Sequence, residues 1–146
     1  MTDDRYMIQM DLATGGDLEH MLINKNGTYN VLPDQEVAKI FLKTAAALSY
    51  CHSLGVVHRD LKLDNILIQN NQPVIIDFEL AAINDNINKT MYSQKTMCGT
   101  PLYIAYEVTS GKQYDGRQAD KWSFGIIFYV LLTGRFPYHD SKMDAF

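Results

Sequence analysis

Asp60, Lys62, Asn65 and Asp77 lie close together in the chain and carry three kinds of reactive group. A carboxylate can take a proton, a lysine fixes a positive charge, and an amide with a second carboxylate offers hard oxygens to a cation. Ile66-Leu67-Ile68 and Val74-Ile75-Ile76 are short apolar runs around the polar turn Gln69 to Gln72, the pattern of an antiparallel hairpin. A turn centred on about Asn71 pairs Ile68 with Val74 and sets Asn65 opposite Asp77, where Cβ atoms stand roughly 5 Å apart. Oxygen ligands of this kind suit Mg²⁺, which takes one or two protein groups and fills its other positions with water and phosphate. A base, a cation and metal ligands on one hairpin are equipment for phosphoryl transfer, a reaction made mostly of positioning and charge neutralisation.

The surrounding elements must hold that hairpin. Tyr6 to Met10 reads as a short strand, interrupted by Thr14-Gly15-Gly16, and Asp17 caps a short helix through Leu22. Asn24 to Asn30 is a loop. Pro33-Asp34 opens a helix with apolar residues at Val37, Ile40, Phe41, Ala45, Leu48 and Cys51, the spacing of one buried face, and Gly55 marks its end. Val56-Val57 is a stub before the charged loop His58 to Asn65. A polar stretch after Asp77-Phe78 runs to Lys95 as a long surface loop. Asp120 to Thr133 is apolar on nearly all faces, which predicts a helix buried all round, ended by Gly134 and Pro137. No repeat or linker divides the chain.

The 146 residues are 47% hydrophobic and 21% charged, enough apolar surface for a packed core. A formal charge of −4 without a basic run argues against nucleic acid as a partner. Cys51 and Cys98 form no CxxC pair and read as packed, reduced thiols of an intracellular protein, cytoplasmic or nuclear. The N-terminus lacks signal-peptide character, and the most apolar run, Phe124 to Leu132, is roughly half the ~20 residues of a membrane span. His20, His52 and His139 have no metal-ligand spacing, and Met7, Met10 and Met21 read as core filling.

HRDLKLDN (58–65), Asp77-Phe78, Cys98-Gly99-Thr100-Pro101 and Asp120-Lys121-Trp122-Ser123-Phe124-Gly125 occur in that order and resemble the large lobe of eukaryotic protein kinases. The resemblance implies an α+β, mainly α fold: the C-terminal lobe, with small β-hairpins at the active-site face and with the N-lobe and last helices missing. Residues 1–146 are then a partial kinase domain, with the last N-lobe strand and hinge at 6–13, the catalytic loop at 58–65, the activation segment at 77–107 and the buried helix at 120–133. It implies transfer of the ATP γ-phosphate to a protein Ser/Thr hydroxyl, with ATP and Mg²⁺ as cofactors. Asp60 becomes the base, Lys62 the group neutralising the phosphoryl oxygens, and Asn65 and Asp77 the metal ligands. Lys62 together with Thr100 resembles the serine/threonine type. Met10 matches the back of the adenine pocket, Asp11 to Ala13 the hinge, and Leu67 the pocket floor. Asp17 and Asp64 match positions that meet an arginine upstream of the phosphosite, so a basic substrate is expected, although Asp17 is also the N-cap. Arg59 would pair with a phosphate on Thr96, while Ala82 stands where many relatives carry a second cation. His58 and Phe78 match the hydrophobic column through the site, and Asp120 the buried aspartate that holds the catalytic loop.

Three departures mark the chain. It contains no Gly-rich loop, strand lysine or helix glutamate, which reads as a fragment with negligible activity alone. Glu79 replaces the DFG glycine, at the expense of backbone freedom and with an added anion beside the metal. Ala105-Tyr106-Glu107 replaces APE, and the arginine that pairs with that glutamate in the family would fall beyond Phe146, leaving Glu107 solvated or costly. A pseudokinase-like scaffold or interaction module is therefore the alternative. A small-molecule phosphotransferase is a third reading, opposed by the Gly99-Thr100-Pro101 and Asp120–Gly125 segments.

Overall fold

The computed structural model describes residues 7, 9–83 and 93–138. Tyr6, Ile8, the middle of the 77–95 stretch and His139 lie outside the described residues. The fold is mixed α/β, with helices carrying the core and three two-stranded antiparallel pairs around it. In order it runs α1 (Leu18–Leu22), α2 (Asp34–Ser53), β1 (Val56–Val57), β2 (Ile66–Gln69), β3 (Gln72–Ile75), β4 (Ala82–Ile83), β5 (Ser93–Gln94), α3 (Tyr106–Thr109), β6 (Tyr114–Asp115) and α4 (Gly116–Thr133). Single 3₁₀ turns at Leu63–Asn65 and Pro101–Tyr103 lead into β2 and toward α3. β1 pairs with β4, β2 with β3, and β5 with β6.

Helix α2 begins where Pro33 accepts from the Glu36 and Val37 amides, and stops where Gly55 takes φ 82°. Its buried face, Val37, Ile40 and Leu48, meets α4 residues Ile126, Ile127, Val130 and Leu131 in one core with Leu18, Leu22, Leu61, Leu63 and Ile66. Phe41 stacks on Phe124 at 4.9 Å and touches Phe128 at 4.5 Å, fastening α2 to α4. Thr44 lies on the same face, 1% exposed, and its hydroxyl has no hydrogen-bond partner among the described residues. An orphaned buried hydroxyl costs about 1–3 kcal/mol, and valine has nearly the same shape. Thr44→Val is therefore expected to raise the melting temperature by a few degrees in calorimetry; an unchanged or lower value would mean that the hydroxyl is satisfied.

Helix α4 differs from its expectation in two ways. It starts at Gly116, because Asp115 caps it by accepting from the Arg117 amide at 3.0 Å. It is not buried all round: Trp122, Tyr129 and Leu132 share one face and are 41%, 37% and 41% exposed. Apolar composition concealed this, since the outward face carries aromatic and aliphatic groups as well. Trp122 lies parallel to Tyr138 on that face. The methionines are also not core filling: Met7, Met10 and Met21 are 95%, 82% and 41% exposed. Met7 and residues 9–13 belong to no helix or strand among the described residues. No helix among the described residues is long and apolar enough to cross a membrane.

The β2–β3 hairpin is shifted from the expected register. Its loop is the two residues Asn70-Asn71, both left-handed at φ 50° and 62°, so Gln69 pairs with Gln72, Ile68 with Pro73 and Leu67 with Val74. Left-handed backbone at both central residues is what a tight hairpin turn matching strand twist demands, and asparagine tolerates it. In this register Asn65 faces Ile76, whose amide donates to the Asn65 carbonyl at 3.0 Å, rather than Asp77.

Candidate active site

The 58–65 loop is held from beneath by one buried carboxylate. Asp120, 1% exposed on α4, accepts from the backbone amides of His58 (2.9 Å) and Arg59 (2.7 Å) and from His52 Nε2 (2.8 Å). A buried anion is tolerable only with donors of this number and quality. They also let Arg59 keep its left-handed φ of 69°. Gly99 packs against the same bend: a Cβ there would stand 2.9 Å from the Arg59 carbonyl oxygen, and its φ is 114°.

On the other side of the loop, four side chains converge. Asp60 Oδ1 accepts from the Thr100 hydroxyl at 2.7 Å, and its Oδ2 lies 3.3 Å from Lys62 Nζ. Lys62 also donates to Thr100 Oγ1 at 3.4 Å. Asn65 Nδ2 donates to the Asp60 carbonyl at 2.9 Å and reaches Asp60 Oδ2 at 3.5 Å. With the NH₂ facing two Asp60 oxygens, the Asn65 amide oxygen points away from Asp60. Asp60 and Lys62 side chains are 11% and 23% exposed, so the pair is shielded yet reachable.

Asp77 is not placed by cross-strand opposition, as the expected register required. It sits one residue past the ladder at φ 63°, where the chain turns. Its neighbours on both sides are tied to His58: the ring donates through Nε2 to the Ile76 carbonyl at 2.9 Å, and the Phe78 ring meets it edge-on at 4.8 Å. Nδ1 then accepts from the Asp60 amide at 3.3 Å, which specifies the tautomer with hydrogen on Nε2. His58 is thus a packed bridge between the Asp60 loop and Asp77. The Asp77 carboxylate is exposed and accepts from the Glu79 amide at 3.4 Å. Glu79 does not pay the backbone penalty expected of it: the left-handed residue here is Asp77, and the Glu79 side chain is exposed.

Hard oxygens on Asn65 and Asp77 match the donor chemistry of Mg²⁺. No group of three or more His, Cys, Asp or Glu that could hold a metal occurs among the described residues.

The remaining expected residues scatter around this cluster. Leu67 pairs with Val74 and bridges to Asp17; Met10 and Asp11 are exposed and Ala13 half-buried. Asp17 caps α1, accepting from the His20 amide at 2.7 Å and the His20 ring at 2.8 Å. Burial raises that carboxyl, but the His20 interactions outweigh it and hold Asp17 below the usual carboxylate range. Asp64 is exposed. Burial pushes the Glu19 carboxyl up, the Tyr29 hydrogen bond opposes this, and the charges of Asp64 and Asp17 add to it, which identifies an acidic group of three. Arg59 donates through Nε to the Leu80 carbonyl at 2.6 Å and through Nη1 to Gln94 at 3.3 Å; Thr96 is exposed. Glu107 is half-buried on α3. Cys51 and Cys98 are free, and burial with the nearby Asp120 charge pushes the Cys51 thiol up, keeping it protonated.

Several supporting residues carried no local sequence signal. His52 is far from Asp120 in sequence, yet their side chains meet. Ser123 donates to the Tyr103 carbonyl at 2.8 Å, fixing the turn after Thr100 onto α4. Tyr29 donates to Glu19 across the α1 end.

Comparison with known proteins adds a family to this geometry. A sequence model of the protein kinase domain matches residues 1–145. The chain is 41% identical over 143 residues to CBL-interacting protein kinase 4 of Oryza sativa subsp. japonica, covering 97% of the chain and 31% of that protein. It is 38% identical over 139 residues to CBL-interacting serine/threonine-protein kinase 17 of Arabidopsis thaliana, covering 94% and 31%. It is 36% identical over 142 residues to the probable serine/threonine-protein kinase KCC4 of Saccharomyces cerevisiae, covering 97% and 13%. The chain thus spans less than a third of the length of these curated relatives.

Proposed function

The chain belongs to the protein kinase family, and on that premise we propose that it supplies the catalytic face of a serine/threonine kinase domain. The reaction is transfer of the ATP γ-phosphate to a protein hydroxyl. The convergence of Thr100, Asp60, Lys62 and Asn65 carries this reading. Asp60, held by Thr100 and Lys62, takes the proton from the attacking hydroxyl. Lys62 places positive charge beside the transferring phosphoryl oxygens. Asn65 and Asp77 would hold Mg²⁺, which when bound would neutralise phosphate charge. Asp120 acts through the backbone, fixing the loop that carries Asp60.

In the same reading, residues 6–13 are the last small-lobe strand and hinge, 58–65 the catalytic loop and 77–107 the activation segment of a helical C-terminal lobe. Met10, Asp11, Ala13 and Leu67 border adenine. The acidic group of Asp17, Asp64 and Glu19 favours a substrate with basic residues upstream of the phosphosite. Arg59 and Thr96 form a regulatory pair, and two free cysteines fit a cytoplasmic or nuclear protein. An interaction scaffold is the second reading, favoured by the exposed Glu79 anion beside Asp77. The test joins the small lobe of a rice relative to this chain and assays phosphate incorporation into serine peptides. Serine phosphorylation supports the enzyme; a folded chimera without transfer supports the scaffold.

A further inference from the structure

We propose that Gln94 and Tyr114 are positioning residues that dock residues 94–100 against Arg59 without a phosphate on Thr96. The docking rests on geometry; only its consequence for regulation rests on the kinase reading.

Three separate contacts point the same way. β5 pairs with β6, with Gln94 opposite Tyr114. The Tyr114 hydroxyl donates to the Thr96 carbonyl at 2.8 Å from a side chain only 3% exposed. Gln94 Oε1 accepts from Arg59 Nη1 at 3.3 Å, while Arg59 Nε is bound to the Leu80 carbonyl. The guanidinium is therefore already bridging the two ends of the stretch between residues 80 and 94, using a neutral amide as acceptor. Burial keeps the Tyr114 phenol protonated and so a donor. From this anchor the chain passes directly to Gly99, packed on the Arg59 carbonyl, and to Thr100, bonded to Asp60. Gly116 Cα lies close enough that an added Cβ would stand 3.2 Å from Gln94 Cγ, so the start of α4 packs on the Gln94 stem. Docking by Gln94 and Tyr114 thus extends to the hydroxyl that orients Asp60. Ala82, pairing with Val57, supplies no cation here, which leaves Arg59 the one guanidinium in the contacts just described.

A lost hydrogen bond, neutral for Tyr114 and charge-assisted but long for Gln94, corresponds to about a two- to tenfold change in a local opening equilibrium. Amide hydrogen exchange of the purified, unphosphorylated chain reads that opening directly and requires no enzymatic activity, so its failure is separable from failure of the kinase reading. Amides of the β5–β6 pair, residues 93–94 and 114–115, are expected to be protected in the parent. Gln94→Leu and Tyr114→Phe should each speed their exchange about two- to tenfold, with α2 unchanged. Gln94→Glu, which gives Arg59 a charged acceptor, should restore or exceed parental protection. Thr96→Ala should leave protection within about twofold, because Thr96 contributes only its carbonyl. Gln94 is half-buried and outside the hydrophobic core, so its variants decide the matter even if Tyr114→Phe loosens the whole chain. Peptide-like exchange of these amides in the parent would overturn the proposal. So would a Gln94→Leu chain no looser than the parent, or a Gln94→Glu chain as loose as Gln94→Leu.

Discussion

Asp120→Ala is expected to lower the melting temperature by about 6–20 °C, or to prevent folding altogether. The substitution leaves the His58 and Arg59 amides buried without the Asp120 acceptor and removes one partner of His52. Each abandoned donor costs about 1–3 kcal/mol, giving a total on the order of 3–5 kcal/mol. At this chain length each kcal/mol corresponds to about 2–4 °C. Asp120→Asn should fall between, because its amide oxygen can serve one donor cluster while its NH₂ faces another. Calorimetry on the three proteins checks the order; an alanine variant within about 2 °C of the parent would show that the loop is held elsewhere.

The second large effect concerns chemistry. In the chimera with a rice small lobe, Asp60→Asn should reduce serine phosphorylation by about 10²–10⁴-fold, the range for loss of a positioned general base. Asparagine still accepts from Thr100 and still fits between Lys62 and Asn65, so melting temperature should change by no more than a few degrees. That separation distinguishes a reacting group from a structural one. Transfer at parental rate in the variant would remove Asp60 from the mechanism and leave its contacts with Thr100 and Lys62 as loop architecture.

What could be read in the sequence was mostly local. Asp17 before a short helix, Pro33-Asp34 opening α2, and Gly55 and Gly134 ending helices are decided by capping and φ preference within one turn. The ordered motifs singled out Asp60, Lys62, Asn65 and Asp77 as candidates because they stand at short spacing along one loop and hairpin, and Asp120 only through the family resemblance. The hairpin register was missed because Asn70 and Asn71 both accept left-handed backbone, and a shift of half a turn residue changes every partner. The route by which Asp77 is tied to the loop was missed for the same reason: it runs through His58, Ile76 and Phe78 rather than through the ladder. Burial of α4 was overstated because its outward face carries Trp122, Tyr129 and Leu132. His52, Ser123, Gln94 and Tyr114 act across 18 to 68 residues, where neither propensity nor periodicity carries information.

Asn65 and Asp77 are proposed to serve one cation beside Asp60. Paramagnetic relaxation by Mn²⁺ with ATP, read on the backbone amides of the isotope-labelled chain, tests it directly. Selective broadening of residues 64–66 and 76–78, abolished by Asp77→Asn and displaced by excess Mg²⁺, is the result predicted. Broadening confined to the acidic group at Asp17, Glu19 and Asp64, with residues 76–78 left sharp, would contradict it.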